Sequence, residues 1–274
     1  MTLLGASEIR ELAAKLELNP SKGLGQNFVI DGNVCQRIVR QVDIKEGDVI
    51  LEIGPGLGSL TLAILETGAQ LIAVEIDTRL ATQLPETVNL HNSSADLIVI
   101  NKDALELVEL PKTPTVLVAN LPYNVSVPVI INLLERFTSL REGVVMVQAE
   151  VADRLAAKPG GKDYGVPSIK CAWWADLELA GNISRNIFWP VPNVDSKLVF
   201  FKRHEPLGDE LTRKKVFALI DAAFSQRRKM IRSSMSSVLG ERAESLIQSA
   251  GIDPTLRGEA LDIQAYCKIA RQLN

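Results

Sequence analysis

The chain has 274 residues, of which 46% are hydrophobic and 23% charged, and its net charge is −3. This length and apolar content allow one large domain and one smaller domain, and the weak negative charge argues against a protein that coats nucleic acids by charge alone. Three cysteines without a C-x-x-C pair and two histidines outside any ligand spacing predict neither a disulfide framework nor a metal site.

Residues 1–18 predict an amphipathic helix and not a signal peptide. Charged residues recur within the apolar sequence, namely Glu8, Arg10, Glu11 and Lys15, whereas a secretory leader has an uninterrupted apolar centre. The helix is predicted to end near Asn19-Pro20. No apolar stretch of the sequence reaches the length of a membrane span, so we expect a cytoplasmic protein without a membrane partner.

The next segment, SKGLGQNFVID, combines two glycines with amide side chains and Phe28. It is either an ordinary turn that the phenylalanine plugs or a flap over a bound cofactor, and the segment alone leaves both interpretations open. A helix is predicted over residues 34–42, beneath the first strand of a sheet.

Residues 49–60, VILEIGPGLGSL, have the pattern of a buried strand that turns sharply into a helix. A dinucleotide-binding turn requires G-x-G-x-x-G, but after Gly54 and Gly56 the third glycine, Gly58, comes one residue early. Glu52 instead completes E-x-G-x-G-x-G, a form used by methyltransferases that bind S-adenosylmethionine. In that interpretation the carboxylate and the loop backbone recognise the amino-acid end of the cofactor. The alternative is a purely structural turn.

Acidic residues follow the next two predicted strands. Residues 71–75 end at Glu75, 21 positions after Gly54, where Rossmann-like folds place the acid that binds ribose hydroxyls. Residues 97–101 form the third strand, and Asp103 follows it. The Asp103 carboxylate either accepts a hydrogen bond from an adenine amino group or caps the following helix.

The fourth predicted strand, residues 115–119, runs into Asn120-Leu121-Pro122-Tyr123. An exocyclic amine of a nucleobase is a poor nucleophile because its lone pair is delocalised into the ring. The Asn120 side-chain oxygen and the Leu121 carbonyl can accept the two hydrogens of the amine. Pro122 can hold that carbonyl in place, and Tyr123 can stack on the base. The alternative is a strand-to-loop turn with a half-buried tyrosine.

Further along, a fifth strand is predicted over residues 143–148, followed by a helix over 149–157 and a glycine-rich loop over 158–165. The last strands are predicted over residues 177–179 and 198–201. Between them lies FWPVPNVDS, whose two aromatic residues can face a base. Trp173 and Trp174 are predicted to pack in a core or an interface.

Charge is segregated along the chain. Residues 41–120 contain 12 acidic and 4 basic side chains, whereas residues 202–232 contain 9 basic and 4 acidic ones.

The sequence PLG at 206–208 marks a boundary, so we predict a Rossmann-like domain with a cofactor flap over residues 1–206 and a helical RNA-binding domain over 207–274. An apolar helix stripe in the second domain is followed by basic residues that either complement the helix dipole or bind RNA phosphates. They are Arg227, Arg228, Lys229 and Arg232.

The motifs GQNFVID, LEIGPGLGSLT, VEID, NLPYN, EVADRLAAKPGGKDYG, FWPVPNVDS and AFSQRRKMIRSS occur in this order, and with them the chain resembles the bacterial KsgA-type ribosomal RNA adenine dimethyltransferases over nearly its whole length. The resemblance implies an α/β fold, with a seven-stranded, Rossmann-like class I S-adenosylmethionine-dependent methyltransferase sheet and a small C-terminal all-helical domain. It also implies dimethylation of N6 of two adjacent adenosines near the 3′ end of 16S rRNA, within the assembling small ribosomal subunit.

The resemblance also assigns roles to individual residues. Cofactor contacts are implied at Asn27, Val29, Gly54, Glu75, Asp103 and Asn120, whereas Glu52, Gly56 and Gly58 shape the loop. The chain departs from the family pattern at Val29, where leucine is more usual, and at Asn193, where lysine is more usual. We expect a monomer, because no extended apolar stripe lacks an intramolecular use. Two other functions stay open: methylation of large-subunit rRNA, as in enzymes of the macrolide-resistance type, and a non-catalytic role in ribosome assembly.

Overall fold

The computed structural model describes residues 3–18 and 27–273. Seven of its strands form one sheet, in agreement with the predicted number, and two short strands form a separate ribbon. In chain order the strands are β1 (Phe28–Val29), β2 (Val49–Ile53), β3 (Gln70–Glu75), β4 (Leu97–Asn101), β5 (Val116–Asn120), β6 (Glu142–Gln148), β7 (Ala175–Ile183), β8 (Phe188–Trp189) and β9 (Ser196–Arg203).

Helices connect the strands and form the C-terminal part of the chain. They are α1 (Ala6–Lys15), α2 (Gly32–Val39), α3 (Ser59–Leu65), α4 (Thr78–His91), α5 (Ser126–Arg136), α6 (Ala149–Leu155), α7 (Val166–Cys171), α8 (Glu210–Ser225), α9 (Ile231–Ser234), α10 (Ser236–Leu239), α11 (Ala243–Ser249) and α12 (Ile263–Ala270). The predicted helices α1 and α2 are present but end earlier than expected, and the part of the proposed flap at residues 21–26 lies outside the described residues.

The large sheet has the order β4-β3-β2-β5-β6-β9-β7. Strands β2 to β6 pair in parallel, and β9 pairs with β6 in the antiparallel direction. All five residues of β2 are buried, as expected for a central strand covered on both faces. The chain moves outward from β2 through β3 to β4 and then returns to the other side of β2 with β5, so the strand order switches between β2 and β5.

An ion pair joins the segments that precede β2 and β6, at the edge of the sheet where these strands begin. Asp48, just before β2, accepts hydrogen bonds from the Arg141 guanidinium at 2.6 and 2.8 Å and from the Thr115 hydroxyl at 2.7 Å. Burial opposes ionisation, but these donors lower the pKa of Asp48 to about 2. The starts of β2, β5 and β6 are thus tied together at the edge opposite the predicted site.

The chain divides into two compact units. The first comprises Met1–Ala152 and Glu178–Arg203, and the second comprises Asp153–Leu177 and His204–Asn274. The longer segment of the second unit thus begins near the predicted boundary at 206, whereas Asp153–Leu177, which we predicted to lie in the first domain, belongs to the second unit. That segment packs on α8 through its aromatic side chains, because the Trp174 ring meets the Phe217 ring edge-on at 5.5 Å between centroids.

The packing prediction for the two tryptophans is confirmed. Trp173 is 1% exposed and Trp174 is 3% exposed, and both rings meet Phe217 edge-on. Such edge-to-face pairs add to the hydrophobic stabilisation of a core. These two side chains are therefore part of the core of the second unit.

Candidate active site

A pocket lies in the first unit, at the carboxyl ends of β2, β3 and β5. This edge contains the switch in strand order, where open α/β sheets bind ligands. Its lining combines the glycine loop after β2, the end of β3 and the turn after β5. The lining residues are Asn27, Phe28, Val29, Gly54, Pro55, Gly56, Leu57, Ser59, Leu60, Glu75, Ile76, Leu80, Asn120, Leu121, Pro122 and Tyr123.

Gly56 lies in the loop between β2 and α3 and has φ +60°. This left-handed conformation is strained for a residue with a Cβ atom. A Cβ on Gly56 would also lie 3.1 Å from Cδ1 of Phe28. Glycine therefore lets the main chain pass directly against the phenylalanine ring, and both residues line the pocket.

The glycine loop and the turn after β5 meet through their main chains. A Cβ on Gly54 would lie 3.4 Å from the carbonyl oxygen of Asn120. The Gly54 N–H donates to the Val74 carbonyl at 2.9 Å, which extends the pairing with β3 past the last residue of β2. The sheet thus fixes the position of the loop relative to the turn.

Glu75, the last residue of β3, orders the glycine loop with its carboxylate. It is 6% exposed. Its Oε2 accepts the Gly56 N–H at 3.1 Å, and its Oε1 accepts the Asp77 N–H at 3.0 Å. Burial raises the pKa of Glu75, although these two donors act in the opposite direction. Each carboxylate oxygen has a second lone pair with which it can accept a ligand hydroxyl in the pocket.

Glu52 lies behind the pocket lining, and its side chain is 1% exposed. Its Oε2 accepts the Thr61 hydroxyl of α3 at 2.7 Å, while its Oε1 has no partner among the described residues. Burial, partly opposed by the Thr61 donor and assisted by the charge of Glu75, raises the pKa of Glu52 to about 8. The contact with Thr61 joins β2 to α3, so Glu52 supports the glycine loop from behind.

Main-chain hydrogen bonds hold the turn after β5 in place. The Leu121 N–H donates to the Met146 carbonyl of β6 at 3.1 Å, and the Val125 N–H donates to the Pro122 carbonyl at 3.2 Å. The Leu121 side chain is 1% exposed and anchors the turn in the core. Asn120 and Tyr123 flank this anchored segment and both line the pocket.

Strand β1 forms one wall of the pocket, and β8 pairs with it in the small ribbon. Phe28 pairs with Trp189, and Val29 pairs with Phe188. The Phe28 and Trp189 rings are stacked, with 6.5 Å between centroids. Phe188 is 1% exposed, so it belongs to the core and is not one of two aromatic residues facing a base. Sequence patterning does not reveal this distinction, because both aromatic residues occur in one loop-like motif.

The structure brings most of the predicted cofactor residues together. Those that line the pocket are Asn27, Val29, Gly54, Gly56, Glu75 and Asn120. Glu52, Gly58 and Asp103 lie outside the lining. Gly58 precedes α3 with φ +103°, and Asp103 caps a short 3-10 helix by accepting the Leu105 N–H at 2.8 Å. The helix-cap alternative for Asp103 is therefore present in the structure.

Arg227 is held within the second unit. Its guanidinium pairs with the Glu259 carboxylate at 2.9 Å. It also donates to the main-chain carbonyls of Lys162 and Tyr164, at 3.1 and 3.3 Å. These contacts fasten the end of α8 to the loop before α7, so Arg227 has a structural role in addition to its charge.

The other three predicted RNA-binding residues differ from one another. Arg232 pairs with the Glu244 carboxylate at 3.0 Å. Arg228 and Lys229 are exposed, and neither forms an ion pair with any residue in the described ranges. Among the described residues, these two side chains are thus the exposed charges of the basic run that no carboxylate neutralises.

Comparison with known proteins gives a consistent result. A family model described as ribosomal RNA adenine dimethylase matches residues 18–274. The ribosomal RNA small subunit methyltransferase A of Leifsonia xyli is 55% identical over 276 residues, covering 98% of this chain and 98% of that protein. Its counterpart in Paenarthrobacter aurescens is 53% identical over 272 residues, covering 98% of this chain and 93% of that protein.

Two solved structures share the fold. A dimethyladenosine transferase from Plasmodium falciparum superposes with a TM-score of 0.76 at 23% identity, covering 88% of this chain and 95% of that chain. The 23S rRNA methyltransferase ErmE superposes with a TM-score of 0.69 at 24% identity, covering 90% of this chain and 99% of that chain. Together with the mostly parallel sheet, these similarities confirm the predicted class I methyltransferase fold.

Proposed function

The chain belongs to the ribosomal RNA adenine dimethylase family, and we propose that it transfers methyl groups from S-adenosylmethionine to N6 of two adjacent adenosines near the 3′ end of 16S rRNA. The proposal rests on one observation above all. The glycine loop, Glu75 and the segment from Asn120 to Tyr123 line a single pocket. A methyl donor and an acceptor amine can therefore meet at one edge of the sheet.

The residues that line the pocket offer groups suited to S-adenosylmethionine. The main chain at Gly54 and Gly56 would lie against the cofactor, and the Glu75 carboxylate would accept hydrogen bonds from its ribose hydroxyls. Asn27 and Val29 would contact it from the wall formed by β1. When bound, the cofactor supplies an electrophilic methyl group on a sulfonium.

Two acceptors prepare the adenosine amine for reaction. In the first transfer the Asn120 side-chain oxygen accepts one N–H and the Leu121 carbonyl accepts the other, which directs the nitrogen lone pair towards the methyl donor. In the second transfer the monomethylated amine has one N–H left, which one of these two acceptors binds. The anchoring of Leu121 by the Met146 carbonyl keeps this acceptor in place without rearrangement. The Tyr123 ring stacks on the adenine once it has left its own stack.

The mechanism needs no strong base. The amine becomes acidic only as the methyl group transfers, so its proton is lost to solvent afterwards. Burial raises the pKa of Tyr123, and the nearby charge of Asp195 adds to this effect, although the Ser196 hydroxyl opposes it. Tyr123 therefore remains a neutral phenol at physiological pH, and its role is to stack on the base and not to remove a proton.

The experiment that tests the function is methyl transfer from labelled S-adenosylmethionine to small subunits isolated from cells that lack the enzyme. Large subunits are assayed in parallel, and the label is identified by nucleoside analysis. We expect dimethyladenosine in small-subunit RNA alone. Label in the large subunit would instead support an enzyme of the macrolide-resistance type, and cofactor binding without transfer to either subunit would support a non-catalytic assembly factor.

The Gly56→Ala variant tests the glycine loop. We expect it to weaken S-adenosylmethionine binding about tenfold or more, because the new Cβ both strains the loop and displaces Phe28. Calorimetric titration measures the affinity. Gly68→Ala is the matched control, since Gly68 has φ +77° with no atom near its Cβ position. Equal affinity in both variants would contradict the idea that the Gly56 conformation and its contact with Phe28 shape the cofactor site.

The double variant Arg228→Ala/Lys229→Ala tests the RNA-binding role of the basic run. We expect weaker binding of small-subunit RNA and a shallower salt dependence, with a slope that falls by about one for each phosphate that the variant no longer binds. The control is Arg242→Ala/Lys268→Ala, which removes the same charge from exposed sites in the same unit. A similar weakening in both variants would indicate that only the overall charge matters.

We also propose an assembling small subunit as the physiological partner, a monomeric state and a cytoplasmic location. No helix among the described residues combines the length and apolar character needed to cross a bilayer. Sedimentation of the purified protein tests the monomer, since a second copy would double the mass. Comparison of assembled subunits with naked 16S rRNA as methyl acceptors tests the requirement for an assembling particle.

A further inference from the structure

The Tyr123 hydroxyl lies 2.8 Å from the Ser196 hydroxyl. Ser196 is the first residue of β9 and is 1% exposed. Tyr123 is half-buried and lines the pocket, where the mechanism requires its ring as a stacking surface. The buried Ser196 hydroxyl thus contacts the hydroxyl of the tyrosine whose ring stacks on the base in the proposed mechanism.

Main-chain contacts alone do not orient this ring. The hydrogen bonds of Leu121 and Val125 fix the backbone on either side of Tyr123, but rotation about its side-chain bonds remains. The terminal torsion of a tyrosine is broad, with no sharp staggered minimum. Among the described residues, Ser196 is the only group that forms a hydrogen bond with the Tyr123 side chain.

The position of Ser196 is itself rigid. It pairs with Gln148 in the antiparallel register of β6 and β9, and β6 also pairs with β5, the strand that ends in Asn120. The hydroxyl that contacts Tyr123 is therefore held by the same sheet as the amide that accepts the amine. This common frame relates the plane of the stacking ring to the position of the acceptor.

We propose that Ser196 is a positioning residue for methyl transfer, which holds the Tyr123 ring where it stacks on the target adenine. This inference rests on the proposed function and deepens it. Ser196 does not touch the reacting atoms but acts through the Tyr123 hydroxyl. Without the hydrogen bond the ring samples orientations that do not support the base, so fewer bound complexes have the amine aligned with the methyl donor.

The test is a double-mutant cycle with Ser196→Ala, Tyr123→Phe and the combined variant, assayed on small subunits from cells that lack the enzyme. We expect each single variant to lower kcat about 3- to 10-fold, as for loss of one hydrogen bond, with an unchanged KM for S-adenosylmethionine. The combined variant should be no slower than either single variant, because both changes remove the same contact. Ser196→Thr should recover activity, since it retains the hydroxyl.

A second measurement reports on the base directly. Small-subunit RNA with 2-aminopurine in place of a target adenosine is expected to show weaker quenching by stacking in Ser196→Ala than in the original protein. Ser168→Ala is the control for loss of a buried serine hydroxyl. Ser168 is 5% exposed and donates to the Arg154 carbonyl, and both residues belong to the second unit. It should lower stability without changing kcat.

Several results would overturn the proposal. Additive losses in the cycle, or a Ser196→Ala variant with unchanged kcat and quenching, would show that the hydroxyl does not act through Tyr123. If Ser196→Ala does not fold, Tyr123→Phe still decides the question, since full activity and quenching in that variant would exclude a role for the hydrogen bond. An inactive original protein would instead contradict the proposed function.

Discussion

Replacing Asn120 by alanine is expected to lower the rate of methyl transfer about 10²- to 10³-fold while the protein remains folded. Asn120 provides one of two acceptors for the adenosine amine, and removal of one such group from a prearranged site typically has an effect of this size. The loss should appear in kcat, because the acceptor is most important as the nitrogen lone pair is directed towards the methyl group.

Asn124→Ala provides the matched control for this variant. Asn124 is exposed and lies in the same turn but does not line the pocket, so its loss should leave the rate unchanged. Thermal unfolding verifies that both variants fold. Single-turnover transfer to small subunits measures the chemical step. A rate for Asn120→Ala within a fewfold of the original would contradict its assignment as a catalytic acceptor.

Replacing Glu52 by glutamine is expected to remove much of a pH-dependent loss of stability. Burial raises the pKa of Glu52 in the folded protein from 4.5 to about 8. Between these values the folded state binds a proton that the unfolded state has released. The free energy of unfolding therefore falls as pH rises, by at most about 1.4 kcal/mol per pH unit. This contribution is complete below the unfolded pKa and is lost above the folded one.

Urea unfolding at several values between pH 5 and 9, without S-adenosylmethionine, measures this effect. The free energy of unfolding should fall less with rising pH in Glu52→Gln than in the original protein. The difference between the two decreases should be about 2–4 kcal/mol from pH 5 to pH 9. Some slope should remain, because the pKa of Glu75 is also raised. Glu66→Gln, which changes an exposed carboxylate at the end of α3, should leave the slope unchanged. Parallel curves for Glu52→Gln and the original protein would contradict a proton on Glu52.

The sequence predicts the sheet well because its strands are short apolar runs bounded by turn residues. The predicted third strand coincides with Leu97–Asn101, and the fourth begins and ends one residue earlier than Val116–Asn120. The pocket follows from the same pattern, since Gly54, Glu75 and Asn120 all come at the carboxyl ends of parallel strands. Local pattern and strand order are sufficient for these residues.

Other features depend on contacts between distant segments, which no local pattern contains. Arg227 belongs to a basic run, but its neighbours Glu259 and Tyr164 come from two other parts of the chain. Ser196 ends a motif that is visible in the sequence, yet only the folded chain shows its hydroxyl beside that of Tyr123. Glu52 is recognisable in the sequence as the acid that precedes the glycine loop, whereas its burial against α3 depends on how β2 and α3 pack.

During synthesis, the ribbon of β1 and β8 can form only late. β1 consists of Phe28 and Val29 alone, and their partners Phe188 and Trp189 leave the ribosome long after them. The glycine loop and the turn at Asn120 emerge before this wall of the pocket can close, because pairing across such a sequence separation must wait for the later strand. We therefore expect a nascent chain to acquire a complete cofactor pocket only when nearly all of the first unit has been translated.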